Sequence, residues 1–273
     1  MGNNRHSIGV FDSGLGGLTT VKEINKLLPK EDIIYLGDTA RIPYGGRSKE
    51  TILKYAKEDT AFLRKYDVKM IIAACGTVSS VLGDDVLSDD IPFLGVLAPA
   101  AAAAYAATQS GKIGVIGTSA TIKSGAYGKA IKAIGEGNPH PKIFGKACPM
   151  LVHLVENGYT ELENEAVRYF VEQYLKPIKD ENVDTLILGC THYPLLKDAI
   201  GTYMGEGVTL ISPGEEAAKI AARELFKNEL LSENEKGENR FFVTDSVENF
   251  EENAEIFLGE SVHGKCERVS VSG

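Results

Sequence analysis

The sequence predicts an α/β protein of two similar domains with largely parallel sheets, related by a pseudo-twofold, with an active site in the cleft between them. Two observations predict it. Short apolar runs alternate with helical stretches long enough to be crossover helices, the pattern of parallel sheets covered on both faces. The chain also repeats itself: "IGVFDSGLGG" (8–17) returns as "IGVIGTSAT" (113–121), and "VKMIIAACGT" (68–77) returns as "VDTLILGCTH" (183–192). At 273 residues and 43% hydrophobic content, the chain is long enough for two cores of ordinary size.

Strands are expected at 7–11, 32–36, 70–74, 93–97, 113–116, 185–188, 208–211 and 240–244, where the apolar runs are short and rich in β-branched residues. The stretch 48–66 reads as a helix burying Ile52, Tyr55, Ala56, Ala61, Phe62 and Leu63. The run "LAPAAAAAYAAT" (97–108) reads as a closely packed helix entered through Pro99 rather than as low-complexity sequence. A further helix is expected around 215–230, then a solvated loop "LSENEKGEN" (231–239) leading to the last of these strands.

Composition narrows the function. A formal net charge of −9 argues against a nucleic-acid partner, which needs clustered Lys and Arg. The first residues show no signal-peptide pattern, and no run of 18 apolar residues appears, so a soluble, cytoplasmic protein without membrane contact is expected. The four cysteines, Cys75, Cys148, Cys190 and Cys266, lie far apart and read as reduced thiols. The five histidines show no ligand spacing with them, so no metal is expected.

Ligands of open parallel sheets bind beyond the carboxyl ends of the strands. Cys75 and Cys190 fall at such ends, as do Asp12 and Ser13, Thr118, and Thr191 with His192. A lone free cysteine is usually a small buried hydrophobe. Two in repeated contexts, each followed by small or hydroxyl residues, call for a joint explanation, whereas Cys148 and Cys266 lack this setting and read as structural. "DSGLGG" fails the dinucleotide fingerprint because Thr19 stands at the third glycine position, leaving a tight strand-to-helix turn that lets a ligand approach the backbone. Asp12 could cap the helix that follows. A Cys–His nucleophile pair at 190 and 192 would leave Cys75 unexplained. Inverting a stereocentre beside a carboxylate takes a base on one face and an acid on the other, and two facing thiols meet that need.

At these residues the chain closely resembles the glutamate racemases of bacterial cell-wall synthesis, within the aspartate/glutamate racemase superfamily. The likeness runs through "DSGLGGLT", "YLGDTARIPYGGRS", "AACGT", "IGVIGTSATIKSGAY" and "LILGCTHYPLL". It implies cofactor-independent two-base chemistry with Cys75 and Cys190 as acid and base, assisted by Asp12 and His192. It implies glutamate as substrate, held by Asp12, Ser13, Tyr44, Gly45, Gly76, Thr77, Thr118, Thr191 and His192, and a homodimer. Glu156, in "LVENG", matches an acidic position near the second cysteine. The family fold implies one domain from 1–97 with 213–273, and a second from 98–212. One departure stands out: Gly76 replaces the asparagine that usually follows the first catalytic cysteine, leaving a backbone N–H and room for water or a neighbouring side chain. An aspartate racemase, a related decarboxylase with one cysteine, and a binding protein without chemistry are the competing readings.

Overall fold

The computed structural model describes residues 6–82, 90–135 and 140–271. Its strands are β1 (Ser7–Asp12), β2 (Ile33–Gly37), β3 (Val68–Ala73), β4 (Phe93–Gly95), β5 (Lys112–Gly117), β6 (Lys142–Ala147), β7 (Thr185–Gly189), β8 (Thr209–Ile211), β9 (Asn239–Val243) and β10 (Cys266–Arg268). The helices are α1 (Leu18–Leu27), α2 (Lys49–Leu63), α3 (Gly76–Leu82), α4 (Leu97–Ala107), α5 (Ser119–Ser124), α6 (Ala126–Ile134), α7 (Pro149–Glu156), α8 (Glu165–Lys179), α9 (Lys197–Met204), α10 (Pro213–Lys227) and α11 (Val247–Leu258). Among the described residues, no helix is long and apolar enough to cross a membrane.

Two parallel sheets result, ordered β10-β9-β2-β1-β3-β4 and β6-β5-β7-β8. The sequence repeat is therefore a repeat of topology. In the order β2-β1-β3-β4, the strand carrying "IGVF" lies beside the one carrying "VKMII". In β6-β5-β7-β8, "IGVI" lies beside "TLILG" in the same way. Each sheet reverses its strand order between these two central strands, and ligands of open α/β sheets bind at such a switch point.

Alternation along the strands divides the cores. Ile8, Val10, Met70 and Ile72 face α1, α10 and α11, while Phe11, Ile71 and Ala73 face α2 and α3. In the second sheet, Ile113, Val115 and Ile187 face α4 and α6, and Ile116, Leu186 and Leu188 face α7, α8 and α9. The alanines of α4 let it lie close, with Ala100, Ala101 and Ala104 fully buried, as the helix reading of that run expects. Helix α10 packs against both α1 and α4 and so ties the first half to the second.

Four expectations need correction. Strand β6 was not expected, because "KIFGKA" is partly exposed along its length and lacks a continuous apolar run. Strand β10 is only "CER", with no alternation to read. In α2, Ala61 is exposed, whereas Asp59 and Thr60 are buried, because Asp59 joins a polar cluster that hydropathy does not register. The 231–239 loop is anchored as well as solvated. Ser232 N–H donates to Glu31 (2.7 Å), Glu238 N–H to Asp32 (2.8 Å) and Gly237 N–H to the Pro29 carbonyl (2.9 Å).

Candidate active site

At the end of β1, Asp12 is 1% exposed. Its Oδ2 accepts a hydrogen bond from Gly14 N–H (3.0 Å), and among the described residues its buried Oδ1 meets no hydrogen-bond donor. The expected helix cap is not its role. Gly17 precedes α1 without a side-chain cap, and Asp12 instead holds the turn. Burial pushes the Asp12 carboxyl up, and the nearby His192 charge partly offsets the shift.

Beyond β3, Ala74 continues the ladder by donating to the Phe11 carbonyl (2.9 Å), which carries Cys75 to the mouth of the first sheet. The Cys75 thiol donates to Ser13 Oγ at 3.8 Å. Burial, then the Asp12 charge, push it up to about 12, so Cys75 rests as a thiol at neutral pH. Gly76 opens α3, and Thr77 follows.

The second sheet presents the matching pair. Thr118, after β5, caps α5 by accepting from Thr121 N–H. Its hydroxyl also meets that of Thr77 at 3.1 Å, a hydrogen bond between the halves. After β7 comes Cys190, whose Sγ lies 3.7 Å from His192 Nδ1, and Glu156 Oε1, at the end of α7, lies 3.2 Å from His192 Nε2. The His192 ring also stands edge-on to Phe257, centroids 5.3 Å apart. Burial pulls the His192 pKa down, but its hydrogen bonds to Cys190 and Glu156 outweigh this and hold it up at about 10. Glu156 is lowered by the same bond against its own desolvation. The imidazole is therefore held toward its charged form and sits between the Glu156 carboxylate and the Cys190 sulfur.

The structure thus brings Asp12, Ser13, Cys75, Gly76 and Thr77 of one half to Thr118, Cys190, Thr191 and His192 of the other. Gly45 joins them: a methyl group built on it would lie 3.0 Å from Thr118 Cβ. Tyr44 differs, because its hydroxyl is buried against Asp38 and Asp59, with Arg41 bridging Asp38, Glu58 and Asp59. Burial, with Asp59 and Asp38 adding to it, raises that hydroxyl far above a phenol's usual range. Only the backbone of this turn is left to face a ligand. At Gly76, a methyl built on the Cα would lie 2.6 Å from the Gly189 carbonyl oxygen across the cleft.

Sequence reasoning passed over Thr19, whose Oγ1 donates to the Thr191 carbonyl (2.9 Å), and Gly16, which seats against Thr191 and His192. A hydroxyl on the first turn after a glycine-rich loop is the signal that pointed there. Cys148 is fully buried, and its Sγ donates to the Lys146 carbonyl (3.5 Å), while Cys266 lies in β10; neither is among the residues that meet across the cleft.

This architecture has close counterparts. A glutamate racemase from Geobacter metallireducens is 47% identical over 255 residues, 93% of each chain. The structure of a glutamate racemase isoform from Bacillus anthracis superposes with a TM-score of 0.89 at 42% identity, covering 98% of both chains. That of the Francisella tularensis glutamate racemase in complex with D-glutamate does so with a TM-score of 0.88 at 39% identity, again over 98% of both. The Asp/Glu/hydantoin racemase family profile matches residues 8–221, across both sheets. With these likenesses spanning nearly its whole length, the chain belongs to the Asp/Glu/hydantoin racemase family.

Proposed function

We propose that this protein is a glutamate racemase that interconverts L- and D-glutamate without a cofactor, using Cys75 and Cys190 on opposite faces of the substrate. The observation that carries the reading is the pairing of thiols at corresponding strand ends of two sheets that share one four-strand order. Relatives named for glutamate, one of them 47% identical, support the substrate over aspartate. A binding protein has no use for two thiols so placed, and a decarboxylase with one catalytic cysteine leaves the other idle.

In this mechanism one thiolate removes the α-proton and becomes a thiol. The opposite thiol delivers its proton to the other face and becomes a thiolate, so each turnover transfers the charge from one cysteine to the other. Hydroxyls of Ser13, Thr77, Thr118 and Thr191, with backbone N–H groups of the strand-end turns, hold the carboxylates and stabilise the carbanion. The His192 imidazolium, oriented by Glu156, is the counter-ion for negative charge on Cys190. Asp12 serves the Cys75 side, its unpartnered oxygen free to take a proton or an ammonium hydrogen bond.

The same reading gives one domain from 1–97 with 213–273 and a second from 98–212, supported by sheet membership and by α10 joining the halves. It also gives a cytoplasmic homodimer supplying D-glutamate for peptidoglycan.

Incubation of the purified protein with L-glutamate in deuterated buffer, without added cofactor, tests it. Loss of optical rotation together with α-deuterium uptake is expected, and Cys75→Ser and Cys190→Ser should each lower turnover by about 10²-fold or more. Parental rates in either variant would refute the two-base assignment. Exchange with L-aspartate but not L-glutamate would move the substrate to aspartate, and exchange with neither would favour the binding protein.

A further inference from the structure

A buried polar cluster lies behind the turn that carries Gly45. Asp38 follows β2, Asp59 sits in the last turns of α2, and Tyr44 opens the 3₁₀ turn Tyr44–Gly46; all three are shut away from solvent. Arg41 reaches across them, with Nε 2.5 Å from Asp38 Oδ2, Nη2 2.9 Å from Asp59 Oδ1 and Nη1 on Glu58. Its guanidinium carbon stands 4.1 Å from the centre of the Tyr55 ring, which in turn packs 5.3 Å from that of Tyr44.

The protons in this cluster can be counted. The Tyr44 hydroxyl oxygen is within hydrogen-bond reach of Asp38 Oδ2 and lies 3.0 Å from Asp59 Oδ2. A phenol carries one hydrogen and can donate it to one of the two acids. With both acids ionised, the other contact would set lone pair against lone pair in a site closed to water, so one acid holds a proton. Asp38 is supplied with donors already, Arg41 Nε and Tyr44 on Oδ2 and the Thr244 hydroxyl on Oδ1 at 2.9 Å. Among the described residues, the Tyr44 hydroxyl is the partner of Asp59 Oδ2, so the proton falls there. Charge agrees with this count. Arg41 is then balanced by Asp38 in the buried part of the cluster, while Glu58 lies nearer solvent with Lys54 Nζ at 3.9 Å. Burial, then the Asp38 charge, push the Asp59 carboxyl well above the usual carboxylate range against the pull of Arg41.

We propose that Asp59 is a positioning residue that acts as a neutral acid: its Oδ2 hydrogen is donated to the Tyr44 oxygen, Tyr44 donates on to Asp38, and this relay fixes the Gly45 turn against the second half. The turn has little slack on its other side. A methyl built on Gly45 would lie 3.0 Å from Thr118 Cβ, and Arg47 N–H closes the turn on the Tyr44 carbonyl at 3.0 Å. Loss of the relay releases Tyr44 and lets the Gly45 backbone shift relative to Thr118. For its kinetic readout the inference rests on the proposed racemase reading, in which this backbone meets glutamate.

Asp59→Asn tests the proton, because an amide keeps a donor for Tyr44 and an acceptor for Arg41. The variant should keep the parental melting temperature and KM for glutamate. The infrared difference spectrum of parent minus variant at neutral pH should show the carbonyl stretch of a protonated carboxylic acid. No such band would overturn the inference, as would a destabilised Asp59→Asn or one with a raised KM, since Arg41 would then have lost a charged partner. Asp59→Leu tests the positioning, by leaving Tyr44 without its donor. KM should rise about tenfold, the worth of one hydrogen bond, with kcat little changed, because the turn holds substrate and transition state alike. A parental KM, or a fall confined to kcat, would overturn the positioning role. If Asp59→Leu does not fold, Tyr44→Phe, which deletes the relay's central oxygen, is held to the same outcomes. If the parent does not racemise glutamate, the racemase reading fails, and the infrared band with the Asp59→Asn melting temperature still decides the proton.

Discussion

His192 lies between two partners of different character, Glu156 at 3.2 Å and Cys190 at 3.7 Å, and is almost wholly buried. Its pKa is raised above the unfolded value of about 6.5, so protonated His192 contributes stability that is fully present below that pH. The contribution fades as pH rises and is gone above about 10. His192→Asn should therefore be less stable than the parent by the widest margin near pH 6, with the gap narrowing steadily toward pH 10, as urea midpoints at a series of pH values would record. A gap that stays constant across this range would mean that the imidazole packs without charge. Turnover should fall about 10²-fold in the same variant, a larger loss than its stability change accounts for. At this scale the sequence placed both thiols, Asp12, Thr118 and His192 at strand ends, where the structure has them, because such positions after apolar runs are visible in one dimension. It did not reveal that the Tyr44 hydroxyl turns away to Asp38 and Asp59, since those residues lie in a loop and a helix that only the fold brings together.

Among the elements, β3 carries Cys75 and is itself fastened at its opposite end. Lys69, second in the strand, is buried with its Nζ 2.5 Å from Glu31 Oε2 and 2.6 Å from the Leu230 carbonyl, which joins β3 to the entry of β2 and the end of α10. Breaking a buried pair on one side leaves an uncompensated charge, at a cost of about 3–5 kcal/mol. Lys69→Met should lose stability of that order in denaturant titration, and Lys69→Met combined with Glu31→Leu should recover part of it. A single-variant loss below about 0.5 kcal/mol would place the pair among surface bridges. Neither partner stood out in the sequence, because a lysine in a strand and a glutamate in a turn read as exposed. The central strands were legible from their unbroken apolar runs, whereas β6 and β10, at sheet edges, carry too little apolar surface to stand out.

For the whole molecule, burial of the chemistry has a dynamic consequence. Cys75 is 5% exposed, Cys190 8% and Asp12 1%, so the proposed mechanism requires the halves to part along the seam where Thr77 meets Thr118 and Thr19 meets Thr191. The repeat made the four-strand order shared by the two sheets legible, but it could not show how tightly they meet, which depends on glycines and hydroxyls whose partners lie across the seam. A ligand that contacts both halves binds the closed arrangement and lowers the open population. At a glutamate concentration of 100 times Kd, the open fraction should fall about 100-fold. Native-state hydrogen exchange reads this directly: amides in the first turns of α3 and α5 and at 190–193 should exchange more slowly by that factor, while the exposed loop at 233–238 keeps its rate. Seam amides that exchange at the same rate with and without saturating glutamate would mean that the substrate enters by a route that leaves the two halves closed.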